Sequence, residues 1–122
     1  IEGVHIKNQI RINNSKYYYE SLRNNQKLIF PQTCFSNENI FLDFPVICKE
    51  KKFKDFIFSK SLDNYIDIKN YYYLNCETEE IYSKYSSNNS INSKYISDNI
   101  LMLPNNINYT KKDFDRIIKL FN

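Results

Sequence analysis

The chain has 122 residues, 42% apolar, 16% aromatic and 25% charged, with a net charge of +3. That is too apolar for a disordered chain, and the length suits one small domain with its own core. No run reaches the roughly 18 apolar residues of a membrane span, and a single glycine leaves no material for a phosphate-cradling glycine-rich loop.

Residues 1–52 carry eight Lys/Arg against five Asp/Glu, whereas residues 53–122 carry nine of each. Any acidic partner, RNA included, would therefore be met by the first half. Its exposed candidates are Lys7, Arg11, Arg23, Lys49, Lys51 and Lys52. Asn, Lys, Ile and Tyr make up about half of the chain, while Trp is absent. Their codons are AT-rich, which points to the genome of a parasite, a large virus or an organelle. In such a chain Asn and Lys stand where other genomes place Gly or Arg.

In chain order, Val4, Ile6, Ile10 and Ile12 alternate with polar residues, which predicts a half-buried strand. Ser15 is a candidate cap for a short helix through Leu22. Leu28-Ile29-Phe30 meets Pro31 and a polar loop; Ile40–Lys49 then reads as a strand with Pro45 at an edge or bulge. Lys49–Lys52 is a polar break. Phe53–Phe58 and Asn64–Ile68 read as a β-hairpin, followed by Tyr71–Cys76. Thr78 with Glu79 and Glu80 marks a helix start, with Ile81, Tyr82 and Tyr85 on one face. Ser86–Asn99 reads as an exposed loop or short helix, and Ile100–Leu103 as a short buried strand ended by Pro104.

The clearest periodicity closes the chain. Thr110 and Asp113 form a short-armed capping box, and Phe114, Ile117, Ile118 and Phe121 fall at i, i+3, i+4 and i+7. The expected fold is α+β: a small mixed or antiparallel sheet, two or three helices and an amphipathic C-terminal helix. The expected organisation is one domain over residues 1–122, with a basic β-rich part at 1–52 and a hairpin-helix-strand-helix part at 53–122.

Chemistry-bearing signals are few. His5 is the single histidine and falls on the outward phase of the first predicted strand. Cys34, Cys48 and Cys76 are odd in number and lack metal-ligand spacing, so buried reduced thiols are expected rather than zinc or disulfides. Glu77, Glu79 and Glu80 have a structural reason to sit at a helix start. The triplets Tyr17–Tyr19 and Tyr71–Tyr73 offer ring faces to bases, but in a strand part of each triplet is core. No catalytic, cofactor-binding or metal residue is assigned. The start at Ile1 instead of Met fits a processed chain or a fragment.

The order hairpin, helix, strand, Leu-Pro-Asn, helix over residues 53–122 resembles the BTB/POZ fold, especially the small cullin-adaptor type of SCF adaptors and elongin C. The resemblance rests on Phe53–Phe58 with Asp55, Leu74 seven residues before Ile81, Met102–Asn105, and Phe114, Ile117 and Ile118. It implies a non-enzymatic protein–protein interaction module, an adaptor in a ubiquitin-ligase or transcriptional complex with a protein partner. The alternative is a lineage-specific subunit of a ribosome or other ribonucleoprotein, touching RNA through its basic half. Neither reading includes a small-molecule substrate, a cofactor or a membrane, and both expect an intracellular, cytoplasmic protein.

Overall fold

The computed structural model describes residues 2–30, 39–70, 76, 79–85 and 91–122. Helix α1 (Glu2–Leu22) opens the chain and strand β1 (Leu28–Ile29) follows. Strand β2 (Asp43–Cys48) leads into helix α2 (Lys51–Asp63). After a 3-10 turn at Glu80–Tyr85 come helix α3 (Ile91–Asn99), strand β3 (Ile100–Pro104), helix α4 (Lys111–Ile118) and a closing 3-10 turn, Lys119–Phe121. The three strands form one antiparallel sheet in the order β1-β2-β3. The architecture is α+β, as expected.

Strand β2 is the centre. Phe44, Val46 and Cys48 are buried while the residues between them are only partly so, the period of two that a pleated strand imposes. Across the pair Phe44 faces Leu103 and Val46 faces Leu101, so one sheet face presents four fully buried apolar side chains. Pro45 faces Met102 and lies beyond the reach of β1, which pairs only with Ile47 and Cys48. Its missing N–H therefore costs no ladder bond. On the far side of β3, Lys69 and Met102 exchange backbone hydrogen bonds of 3.0 and 3.1 Å.

Helix α1 seats on this face through Ser15, Tyr18 and Leu22, spaced three and four apart and all fully buried. The Tyr18 ring stacks on Phe44 with centroids 5.5 Å apart and meets Phe114 of α4 edge-on at 5.0 Å. Its hydroxyl donates to the Pro104 carbonyl at 2.9 Å. Burial pushes the phenol well above its usual pKa. Asn25, just past the helix, donates to the Phe121 carbonyl at 2.9 Å and so ties α1 to the last turn of the chain.

Helix α4 follows the sequence closely. The Asp113 carboxylate accepts from the Thr110 backbone N–H at 2.8 Å and from its hydroxyl at 2.7 Å. Phe114, Ile117, Ile118, Leu120 and Phe121 are buried, while Lys112, Asp115, Arg116 and Lys119 face water. Four Ile and Phe side chains on one face bring roughly 6–12 kcal/mol of burial before entropy. That packing holds a helix too short to persist alone.

Several expectations are corrected. The alternating Val4–Ile12 segment is not a strand but the exposed first half of α1, with Val4 57% and Ile6 61% accessible. The predicted hairpin is α2 and its exit: Phe53–Phe58, read as a BTB-like first strand, forms helical turns, with Lys54, Ile57 and Ser61 buried on one face. Among the described residues of 1–52, α1 takes 21 and the two strands take eight. Among the cysteines Cys48 is buried and Cys76 exposed, both free, so burial holds only for the first; Cys34 lies outside the described residues. Leu74, Glu77, Thr78 and Tyr71–Tyr73 lie outside them as well, and Ile81, Tyr82 and Tyr85 are exposed rather than packed.

The exit of α2 carries one backbone feature of note. The Ile66 N–H bonds the Ser61 carbonyl at 2.9 Å and the Tyr65 N–H bonds the Leu62 carbonyl at 3.0 Å, a Schellman closure. Its left-handed position, normally glycine, is Tyr65 at φ 55°, with 93% of the residue exposed. Among the described residues no helix is long and apolar enough to cross a membrane.

Two stability outcomes follow from this packing. Tyr18→Phe keeps the ring stack but strands the Pro104 carbonyl, and is expected to cost about 1–3 kcal/mol in urea denaturation. The Cys48 thiol is pushed by burial from 9.0 up to about 12. Because its folded pKa exceeds the unfolded one, its stabilising effect is intact below pH 9 and drains away as pH rises from about 9 to 12. Denaturation midpoints should therefore fall more steeply between pH 8 and 11 in the wild type than in Cys48→Ala; parallel slopes would refute this.

Candidate functional site

Where α1, the approach to β2, the bridge at Lys69 and the exit of β3 converge, they leave a cleft of about 320 Å³. Its walls are Arg11 from α1, Leu42 and Asp43 beside β2, Asp67 and Lys69 from the bridge segment, and Pro104–Ile107 with Tyr109 from the loop after β3. Each position has a local cause. The backbone exchange with Met102 brings Lys69 beside the start of β2, where its ammonium donates to the Asp43 carboxylate at 2.7 Å. Pro104 ends the strand, so Asn105 turns inward rather than continuing the ladder.

Asn105 is 4% exposed and holds three segments together. Its amide nitrogen lies 3.0 Å from the Arg11 carbonyl, 3.0 Å from the Ser15 hydroxyl and 2.7 Å from the Phe41 carbonyl. Two N–H groups thus serve three acceptors. The amide oxygen, also buried, has no hydrogen-bond partner among the described residues. Turning the amide over would set its oxygen against two carbonyls, with the Ser15 hydroxyl alone able to donate. Phe41, one of the three, has φ 53°, a left-handed backbone that is rare outside glycine.

The cleft's electrostatics are balanced: Arg11 and Lys69 against Asp43 and Asp67. The Tyr109 phenol is raised above its ordinary value, first by burial and then by the nearby Asp67 and Asp113 carboxylates, so at neutral pH it keeps its proton and can donate. Arg11 makes one long contact, 3.5 Å, to the Asn8 side chain, and has further N–H groups to offer. A second, smaller cavity of about 210 Å³ lies at the start of α2, lined by Gln26, Lys27, Lys49, Glu50 and Phe53. There the Lys27 ammonium sits 4.7 Å from the centre of the Phe53 ring.

The partner-contact candidates from the sequence are distributed over α1, the turn after it, the end of β2 and the start of α2. Arg11 lines the larger cleft and Lys49 the smaller. Arg23 pairs with Glu20 at 3.0 Å, Lys51 lies 4.0 Å from Asp98, and Lys7 and Lys52 are exposed on separate helices. His5 is exposed on α1 rather than on a strand. Asp43, Asp67 and Tyr109 carried no recognisable signal. Asn105 entered the sequence reading only as a position in the BTB/POZ resemblance. Contacts spanning 26 residues, as between Asp43 and Lys69, leave no local pattern to read.

A sequence profile of the DegT/DnrJ/EryC1/StrS aminotransferase family matches residues 1–122. The chain is similar to the E. coli GDP-4-keto-6-deoxy-D-mannose-3-dehydratase, solved with bound hydrated PLP: TM-score 0.79, 17% identity, covering 95% of this chain and 31% of that one. It is similar to NtdA from Bacillus subtilis, solved with bound cofactor PMP: TM-score 0.78, 18% identity, 93% and 27% coverage. A DegT DnrJ EryC1 StrS aminotransferase from Brucella abortus gives 0.76, 19%, 93% and 30%. The chain thus spans roughly 30% of the length of these solved proteins. No curated relative matches the sequence.

The Asn105 geometry makes a direct demand on its substitutions. Asn105→Ala should cost about 1–3 kcal/mol from the acceptors it strands. Asn105→Asp should cost more, about 3–5 kcal/mol near neutral pH, since a buried carboxylate would face two carbonyls and a single hydroxyl donor. A protonated acid can donate once, so the Asp variant should recover part of the loss as pH falls toward the carboxyl range. Thermal melts at two pH values would show this; an Asp variant as stable as wild type at pH 7 would contradict it.

Proposed function

Given that the chain belongs to the DegT/DnrJ/EryC1/StrS aminotransferase family, we propose that it forms part of an enzyme that transfers an amino group to a keto sugar with a pyridoxal or pyridoxamine phosphate cofactor. The observation that carries this reading is the family match over the whole chain. Neighbours solved with PLP or PMP bound, and one described as a putative sugar aminotransferase, support the cofactor and the substrate class.

Family membership corrects the sequence-based expectations. A non-enzymatic BTB/POZ adaptor is replaced by a member of an enzyme family, and the hairpin that carried the resemblance is helix α2. The ribonucleoprotein subunit falls with it, as does the expectation of a macromolecular partner without a small-molecule substrate.

The described residues do not by themselves fit the cofactor. That group needs a lysine amine for its Schiff base, a cradle for its phosphate and a partner for its ring nitrogen. The Lys69 ammonium is engaged by Asp43, and the buried Lys54 lies 3.5 Å from Asp55. The single glycine, Gly3, sits in the first turn of α1, with no close neighbours to cradle anything. In the proposed enzyme the cofactor is held by the length that the neighbours have beyond this chain's match. This chain contributes the packed body and its cleft.

The test is a half-reaction in the full-length enzyme. With PLP added, absorbance should report uptake of the cofactor, and a panel of L-amino acids should include one that converts it to the PMP form. A keto-sugar nucleotide should then restore the PLP form and gain an amine by mass spectrometry. Failure to take up the cofactor, or uptake with no conversion by any amino acid, would overturn the proposal.

A further inference from the structure

The smaller cavity lies at the other end of the central strand. Strand β2 leads from the cleft at Asp43 to the cavity at Lys49, so about 20 Å separates the two. Its charge is not balanced. Among the described residues its walls are Gln26, Lys27, Lys49, Glu50 and Phe53, two ammonium groups against one carboxylate. Lys51 and Lys52 follow directly in the chain, and all four lysines are exposed. Lys27, Lys49 and Lys52 have no carboxylate partner among the described residues, and Lys51 has only a contact of 4.0 Å to Asp98. The frame around these cations is fixed. The Lys49 N–H donates to the Lys27 carbonyl at 2.8 Å, and the Tyr95 hydroxyl donates to the Lys49 carbonyl at 3.2 Å. The Phe53 N–H bonds the Glu50 carbonyl at 3.1 Å, and the Phe53 ring holds the Lys27 ammonium 4.7 Å from its centre. Like charges gathered on a fixed frame repel, and an anion between them turns that repulsion into attraction.

Side-chain type and size narrow the anion. Among the described residues no arginine lines the cavity, and Arg23 is paired with Glu20. Arginine's planar fork matches a carboxylate, whereas lysine binds phosphate as a point charge. The cavity holds about 210 Å³, below the roughly 300–1,000 Å³ of drug-sized ligand sites. A nucleotide is too large for it, and a phosphate bearing a few carbons is not. We propose that the cavity between the ends of β1 and β2 and the start of α2 binds a small phosphomonoester, its phosphate between Lys27 and Lys49 and its carbon end beside Phe53. This site does not depend on amino transfer, and its ligand is neither the keto sugar nor the cofactor.

Titration calorimetry on the full-length protein tests this. The protein is first loaded with PLP and freed of excess by gel filtration, so that a phosphate site belonging to the cofactor does not contribute. The probes are inorganic phosphate, glycerol 3-phosphate and malonate. Both phosphates should bind, the ester more tightly, and malonate more weakly than either. Lys27→Gln and Lys49→Gln should each weaken glycerol 3-phosphate about tenfold, the loss of one charge-assisted hydrogen bond. Phe53→Leu, which releases the Lys27 ammonium, should weaken it about threefold. Lys7→Gln, at an exposed lysine of α1, should leave it unchanged, which a diffuse attraction to net charge would not. Because Lys27 and Lys49 are exposed, circular dichroism should show both of their variants folded. Absence of phosphate binding at millimolar concentration, or binding indifferent to both Lys27 and Lys49, overturns the site. Malonate binding as tightly as the ester overturns its assignment to phosphate. Phosphate binding that depends on both lysines, in a protein that takes up no PLP, would uphold this site and sink the catalytic proposal alone.

Discussion

The position of Tyr18 is the constraint on which the rest of this structure depends. One fully buried side chain meets the centre of the sheet at Phe44, the closing helix at Phe114 and the end of β3 at the Pro104 carbonyl. The ring contributes area and directional aromatic contacts, and the hydroxyl fixes where along the strand the helix sits. Because α1 is tied at Pro104, the residue that follows is also placed: Asn105 reaches back to α1 at Arg11 and Ser15. The cleft is thus an extension of the core, one residue further along the same chain.

That continuity explains why the polar residues of the cleft hold their positions without a dedicated scaffold. Asp43 is the first residue of the central strand, Lys69 is held by a backbone bridge to β3, and Asn105 follows the proline that ends β3. Each stands where a regular element stops, so its backbone is fixed while its side chain is free of the ladder. Fold likeness alone would not identify a ligand there.

The closing helix and both longer strands were legible because their buried positions are apolar and their period is clean: Phe114, Ile117, Ile118 and Phe121 at helical spacing, Phe44 and Val46 at strand spacing. Of the two longer helices, only the second half of α1, read as a short helix through Leu22, was legible. On α1 the buried face includes Ser15, while Val4 and Ile6 face outward and mimic a strand. On α2 the buried face includes Lys54 and Ser61, and Phe56 and Leu62 are exposed. Polar groups inside and apolar groups outside invert the pattern on which periodicity arguments rest. Part of that outward apolar surface belongs to a chain that spans about 30% of the proteins it matches. Of the site, Arg11 was named for another partner, and the rest depends on contacts between distant segments.

The left-handed tyrosine at the exit of α2 bears on how this sequence can change. A side chain at that backbone position costs about 1–2 kcal/mol, a cost that glycine escapes and asparagine largely offsets by bonding locally. Glycine lies two base changes from tyrosine, both of which add G. Asparagine lies one change away, an A for a T, and leaves base composition untouched. An AT-rich coding bias of the kind the composition suggests would account for few glycines but not for Tyr65. At this helix end the chain stands one neutral-composition mutational step from a more stable version of itself.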